Sequence, residues 1–315
     1  MRLALVLIVL IVLTATAAPL GAQASGAVLV LPASARAAGA GDAAAMATGA
    51  SALFYGAQRL PRERALSASA GTWVGGAQLS SFAGSMPLGR ETVVGLGVQS
   101  LDYGSADEIV PDELTGGKTG TATGDHVGAN EMAATLGLAR ILGGFRYGLA
   151  LSYVHQAVAD VGASRVLFST GAGITLRGWD LDWSVEHVKL PGTSITGPFG
   201  LPPSTYRGDV ATPSWALGGA RWRGVAEYRS GHDAGGTSVL GAEGSFATGA
   251  GWTLEVRGAA LAYSAETVRA PWSLGGSAAR GAWSLDYAYQ GYGALGAVHR
   301  MGVTWRSQGP RNPSR

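Results

Sequence analysis

From about residue 65 onward, apolar and polar side chains alternate at every second position. Trp179, Leu181, Trp183 and Val185 share one face of their stretch, and Asp180, Asp182, Ser184 and Glu186 share the other. A period of two predicts a β-strand, because successive side chains of an extended chain point to opposite faces. Trp283, Leu285, Tyr287 and Tyr289 stand in the same way against Ser284, Asp286, Ala288 and Gln290. Phe145, Tyr147, Leu149, Leu151 and Tyr153 oppose Arg146, Gly148, Ala150 and Ser152; Trp252, Leu254 and Val256 oppose Thr253, Glu255 and Arg257. About fourteen strands are expected, near residues 65–75, 77–88, 91–104, 130–142, 144–158, 164–178, 179–190, 212–222, 224–231, 238–247, 251–264, 270–280, 282–291 and 298–307. Many connections are tight and carry Gly, as at Leu142-Gly143-Gly144 and Arg177-Gly178, whereas Ser105 to Ala129 and Pro191 to Ala211 read as long loops.

A soluble β-sandwich also alternates. Three features point instead to an all-β transmembrane antiparallel up-and-down barrel. One face of each strand is large and aromatic while the other is charged or very small. Trp179, Trp215, Trp252, Trp272 and Trp283 stand at strand starts, the placement of aromatic girdles at membrane interfaces. The strands also run to about ten residues, as a tilted span requires. An even strand number closes the sheet and leaves no edge exposed to lipid.

The N-terminus sets the compartment. Arg2 is followed by an apolar run from Leu3 to Ala18 and by Ala22-Gln23-Ala24, a signal peptide pattern with cleavage after Ala24. The run is at the short end of the roughly 17–25 residues of a spanning helix, and no later stretch approaches that length. The resulting division is signal peptide 1–24, an N-terminal segment 25–64, a barrel 65–307 and a polar tail 308–315, with the protein expected in the outer membrane of a Gram-negative-type bacterium. The chain has no Cys, 50 Gly among 315 residues, only 14% charged residues and a net charge of +2. Disulfides are therefore excluded, and the absence of a basic stripe gives nucleic-acid binding no support.

Residues 25–64 do not alternate. Gly39-Ala40-Gly41-Asp42-Ala43-Ala44 fits the G-x-G-x-x-A outline of a dinucleotide turn, after the apolar run Ala27 to Leu31. A Rossmann fold needs βαβ units downstream, and the next two hundred residues offer strands alone, so no nucleotide is expected. The segment resembles instead the N-terminal signature of the PorV/PorQ family of outer-membrane barrels, through Ala35, Arg36, Gly39, Gly41, Ala43, Ser51, Ala52, Leu53 and Tyr55. Tyr292-Gly293, Leu295-Gly296 and His299-Arg300 resemble that family's closing block. The Asn-Pro-Ala that follows the aromatic in the family is replaced by Gly56-Ala57-Gln58. The resemblance implies a fourteen-stranded, FadL-like barrel with Asp42 and its neighbours in or under the lumen, and a secretion-associated (type IX-like) role with a polypeptide partner. From the residues alone the segment reads equally as a luminal plug and as a periplasmic lead-in. As a plug, Arg36 and Asp42 are placed to pair with inward charges such as Asp180, Asp182, Glu255 and Arg257.

Catalytic and metal chemistry has little support in the sequence. Asp112 to Thr119 is a near-miss for a P-loop, with Asp112 in place of the first Gly. The five His residues lack metal-ligand spacing, and no G-x-S-x-G occurs. Asp102, Asp107, Glu108, Asp112 and Glu113 make the first long loop acidic without an EF-hand spacing. Asp180, Asp182 and Glu186 read as lumen polarity. The expectation is a barrel without enzymatic activity, cofactor or metal, in contact with outer-membrane lipid. Its leading role is secretion, holding a polypeptide cargo. The alternatives are a FadL-like transporter of apolar small molecules, with Val154, Val188, Leu190, Leu261 and Tyr263 as an inward stripe, and a soluble periplasmic sandwich.

Overall fold

Period-two alternation becomes one closed antiparallel ladder in the computed structural model, which describes residues 26–116, 119–190, 204–231, 235–249, 251–264 and 267–307. The signal peptide and the C-terminal tail lie outside the described residues. The strands are β1 Ala65–Thr72, β2 Gln78–Pro87, β3 Thr92–Pro111, β4 Gly120–Leu142, β5 Phe145–Val158, β6 Val161–Leu176, β7 Trp179–Lys189, β8 Thr205–Ala211, β9 Trp215–Leu217, β10 Ala220–Gly231, β11 Gly235–Ala247, β12 Trp252–Tyr263, β13 Trp272–Arg280, β14 Trp283–Gly291 and β15 Ala297–Arg306. β8 and the short β9 both pair with β10 and form one stave, so the wall has fourteen. β15 returns to pair with β1, Met301 beside Ala70 and Trp305 beside Leu66, which removes the last edge.

Two strand assignments differ from the sequence reading. The stave expected at 212–222 is built from 205–211 and 215–217, and its hairpin turn is Gly218-Gly219. Both glycines have positive φ (62° and 78°), the conformation a two-residue hairpin needs. Pro213, which has no N–H to donate, lies between β8 and β9. The first long loop is mostly strand. β3 and β4 continue pairing past the rim, with Asp107 beside His126 and Val110 beside Thr121.

The ends of the barrel are unlike. At one end, the turn end, connections are as short as Gly143-Gly144, and the barrel's first and last strands meet there, Ser307 N–H donating to Arg64 O at 2.8 Å. The other end carries the longer loops, between β7 and β8 and between β12 and β13 among them. Large apolar side chains point outward along the whole wall: Leu96, Leu151, Leu254 and Leu285 are all exposed. Trp179, Trp215, Trp252 and Trp283 lie exposed near the turn end, with Trp283 beside Trp305 and Trp215 beside Trp222 across strands. At the loop end Trp272 stacks on Tyr289 with centroids 5.5 Å apart. Such an outer face suits hydrocarbon between two interfaces. Leu151→Arg, near mid-strand on this face, is therefore expected to lower barrel stability by about 2–4 kcal/mol, read from denaturant titration of the protein folded into phospholipid vesicles.

Candidate functional site in the barrel lumen

Residues 26–60 lie inside the barrel and touch both halves of its wall, and 61–64 lead over the turn-end rim into β1. Ala and Gly dominate this stretch, so the backbone stays thin enough to fold back on itself within the lumen. A helical turn Ala27–Val30 packs on β3 and β4, a second, Ala35–Ala38, on β13, β14 and β15, and the tight turns Gly49–Tyr55 and Ala57–Arg59 fill the space against β1 to β6. Between them the chain reverses at Gly41 and Asp42, both left-handed (φ 76° and 66°).

The sequence-predicted residues of this segment fall at its contact points. A Cβ at Gly39 would sit 2.7 Å from the Gly275 Cα on β13, so segment and wall meet here backbone to backbone. Gly41 N–H donates to Ser273 Oγ at 2.7 Å. The G-x-G spacing thus serves close approach and a reversal rather than a phosphate. The Tyr55 hydroxyl donates to Asp42 Oδ1 at 2.7 Å and accepts the N–H of Ala33 at 3.0 Å, pinning three parts of the segment together. Burial, followed by the Asp42 carboxylate beside it, holds the Tyr55 phenol well above its ordinary pKa, so it remains a neutral donor. Leu53 is buried with Leu60 against Val93 and Ile141, and Ser51 bonds locally to Thr48 O at 2.9 Å.

Ion pairs key the segment to the wall. Arg36 reaches Glu243 at 2.5 Å, Glu255, and Asp286 at 3.7 Å. Arg257 stands among the same three carboxylates, 3.2 Å from Glu243 and 2.9 Å from Asp286. Arg59 pairs with Asp209 and lies 3.6 Å from Asp182, which Arg146 also holds at 2.8 Å. Asp42 pairs with Arg229 at 3.3 Å, and its carbonyl accepts from Arg229 at 2.9 Å. Glu186 and Glu227 share Arg207, and Ala44 N–H donates to Glu227 at 2.6 Å.

Arg36 therefore meets Glu255 as expected, but Asp42 meets Arg229 rather than Arg257. Asp182 is reached by Arg59, and Asp180 is held within the wall by Arg146 and Arg223. Arg59, Asp209, Glu227, Arg229, Glu243 and Asp286 were not singled out from the sequence. Their signal was available, as charges at inward positions of alternating strands and, for Arg59, a cation within the Ala- and Gly-rich segment. His299 and Arg300 separate: His299 faces outward, 2.7 Å from the Tyr287 hydroxyl, whereas Arg300 is buried inward with its Nε donating to Ser69 Oγ at 2.7 Å. Gln58, in the tripeptide that departs from the PorV/PorQ pattern, is wholly buried against Gly171.

Apolar patches face each other across the lumen. Val225, Val239 and Leu261, with Tyr263 beside them, pack on Ala40, Ala43 and Met46 of the segment. Leu79, Leu101, Val154 and Leu167 pack on Val28, with Leu29 and Leu31 alongside. Val154, Leu261 and Tyr263 thus lie on the inner face as the sequence suggested. Val188 does not. Glu186 and His187 together oppose Ser169 in a β-bulge, with His187 at φ 61°, and this turns Val188 to the outer face beside Phe168. Leu190 follows the last residue of β7.

No family model and no curated protein matches the chain, so the PorV/PorQ resemblance gains no support there. Solved structures do match. The toluene transporter TbuX of Ralstonia pickettii superposes with a TM-score of 0.57 at 12% identity, over 88% of this chain and 99% of that one. A FadL homologue from Pseudomonas aeruginosa gives 0.54 at 10%, over 87% and 98%, and the toluene transporter TodX of Pseudomonas putida 0.51 at 9%, over 92% and 99%. The chain shares the fold of these barrels.

Proposed function

We propose that this protein is an outer-membrane transporter that passes apolar small molecules through a lumen closed by residues 26–60, and that it has no catalytic role. The observation that carries this reading is the pair of facing apolar patches inside the barrel. A lumen that only conducted water and ions would have no use for Val239, Leu261, Val154 and Leu167 on its inner face, because barrel interiors are ordinarily polar. Val28, Leu29 and Met46 now cover these patches and are the groups a hydrophobic ligand would replace. The solved relatives described as toluene transporters support the same class of solute. The secretion role lacks comparable support, since the lumen that would hold a polypeptide is occupied by the protein's own segment.

Native mass spectrometry of protein extracted from outer membranes in mild detergent tests the proposal. The expected result is a bound apolar small molecule that is lost in Val239→Asp and Leu261→Asp. A co-purifying polypeptide, unaffected by those substitutions, would return the account to secretion.

A further inference from the structure

We propose that the β3–β4 hairpin beyond the rim is a docking arm for a protein partner that offers an extended, cationic segment, which adds as a strand to the free edge of β4. This rests on the loop end facing outward from the cell, and it is independent of what passes through the lumen.

The barrel ladder ends at Asp102, which pairs with Gln78 on one side and Asn130 on the other, and at Ala129 beside Val158. Past that level Ser105–Pro111 and Gly120–Val127 pair only with each other among the described residues, and the hairpin reaches about 25 Å further at about 3.3 Å per residue. Both of its outer edges therefore present unpaired N–H and C=O groups, a template for an added strand. The edges are not equivalent. That of β3 carries Tyr103 and Gly104 opposite the single Ala129 at its base and ends at Pro111, which has no N–H. That of β4 is regular and carries neither charge nor proline over Gly120-Thr121-Ala122, at the outer part of the arm, before Thr123–Asp125 bulge opposite Glu108.

Leu114 is 96% exposed at the tip, with Ile109 and Val110 more than half exposed beside it. Ile109 and Val110 point to opposite faces of the hairpin, and apolar side chains left in water on both faces and at the tip mark a contact surface. Charge selects the partner. Asp107, Glu108, Asp112, Glu113 and Asp125 stand against a single Lys118 in the sequence of this hairpin. Such a surface repels anionic lipid headgroups, and no group of three metal-ligating side chains forms among the described residues. A cationic strand satisfies the free backbone, the carboxylates and the apolar tip together.

The test uses the full-length protein in lipid nanodiscs and a ten-residue peptide of alternating Lys and Val, with alternating Glu and Val as control. The cationic peptide should bind about tenfold or more tighter than the acidic one, weaken as salt is raised, and slow amide exchange over residues 120–122. Binding should fall in Ile109→Ser/Leu114→Ser and vanish when residues 103–128 are replaced by Asn-Gly, a change that keeps the Ala129–Val158 and Asp102–Asn130 pairs of the barrel ladder. Equal binding to the shortened barrel, or binding without protection of the β4 edge, would overturn the proposal.

Discussion

Arg36→Ala is expected to unseat the luminal segment and turn a closed barrel into a leaking one. In the wild type the Arg36 guanidinium lies among Glu243, Glu255 and Asp286, inside the wall and nearly out of contact with water. Arg257 is the other cation in that group, so removing Arg36 leaves three carboxylates facing one arginine. Breaking a buried pair from one side costs about 3–5 kcal/mol, because the abandoned charges have lost both partner and solvent. The barrel ladder does not depend on this pair, so the cost falls on docking of the segment. In planar bilayers the wild type should be closed and the variant should show frequent openings. Arg36→Lys keeps the charge but not the forked reach to two carboxylates, and should open less often.

Gly39→Val should give the same leak for a different reason. Gly39 has an ordinary helical φ of −66°, so backbone freedom is not why it is glycine. Any side chain there enters the space of the Gly275 backbone, and Gly275 belongs to a paired strand that cannot retreat. A clash with backbone costs typically 1–3 kcal/mol or more, and the segment, which is not part of the ladder, is what moves. Barrel integrity, read as resistance to unfolding in cold SDS, should be unchanged while conductance rises. Loss of both would place Gly39 in the folding of the wall instead.

The strands were legible because each outward position must be apolar for lipid and each inward one small or charged, which imposes a strict period on Trp179 to Glu186 and its counterparts. Where the period carries no constraint, reading failed. The β3–β4 arm leaves the membrane, so neither face is held to an apolar period, and with its run of acids it resembled a loop. The Gly218-Gly219 turn was missed because Gly is also abundant inside the strands. His187 adds one residue to β7, and a pattern counted by twos then assigned Val188 to the wrong face. The path of residues 26–64 was illegible for another reason. A segment of Ala and Gly has no hydrophobic periodicity, and its position is set by charges that meet across long sequence distances, Arg36 with Glu255 and Arg59 with Asp209. The sequence displayed the charges but not which would meet.

The central claim is that apolar molecules pass through a lumen closed by residues 26–60, and locking that segment tests it most directly. The chain has no cysteine, and a Cβ at Gly302 would lie 3.2 Å from that of Ala35, near the roughly 3.5–4.5 Å of a disulfide. Uptake of radiolabelled toluene should therefore be measured in Gram-negative cells expressing the Ala35→Cys/Gly302→Cys variant, oxidised and then reduced. The account predicts uptake at the level of cells lacking the protein when oxidised, and recovery on reduction. Equal uptake in the two states, whether high or at the level of cells lacking the protein, would contradict it.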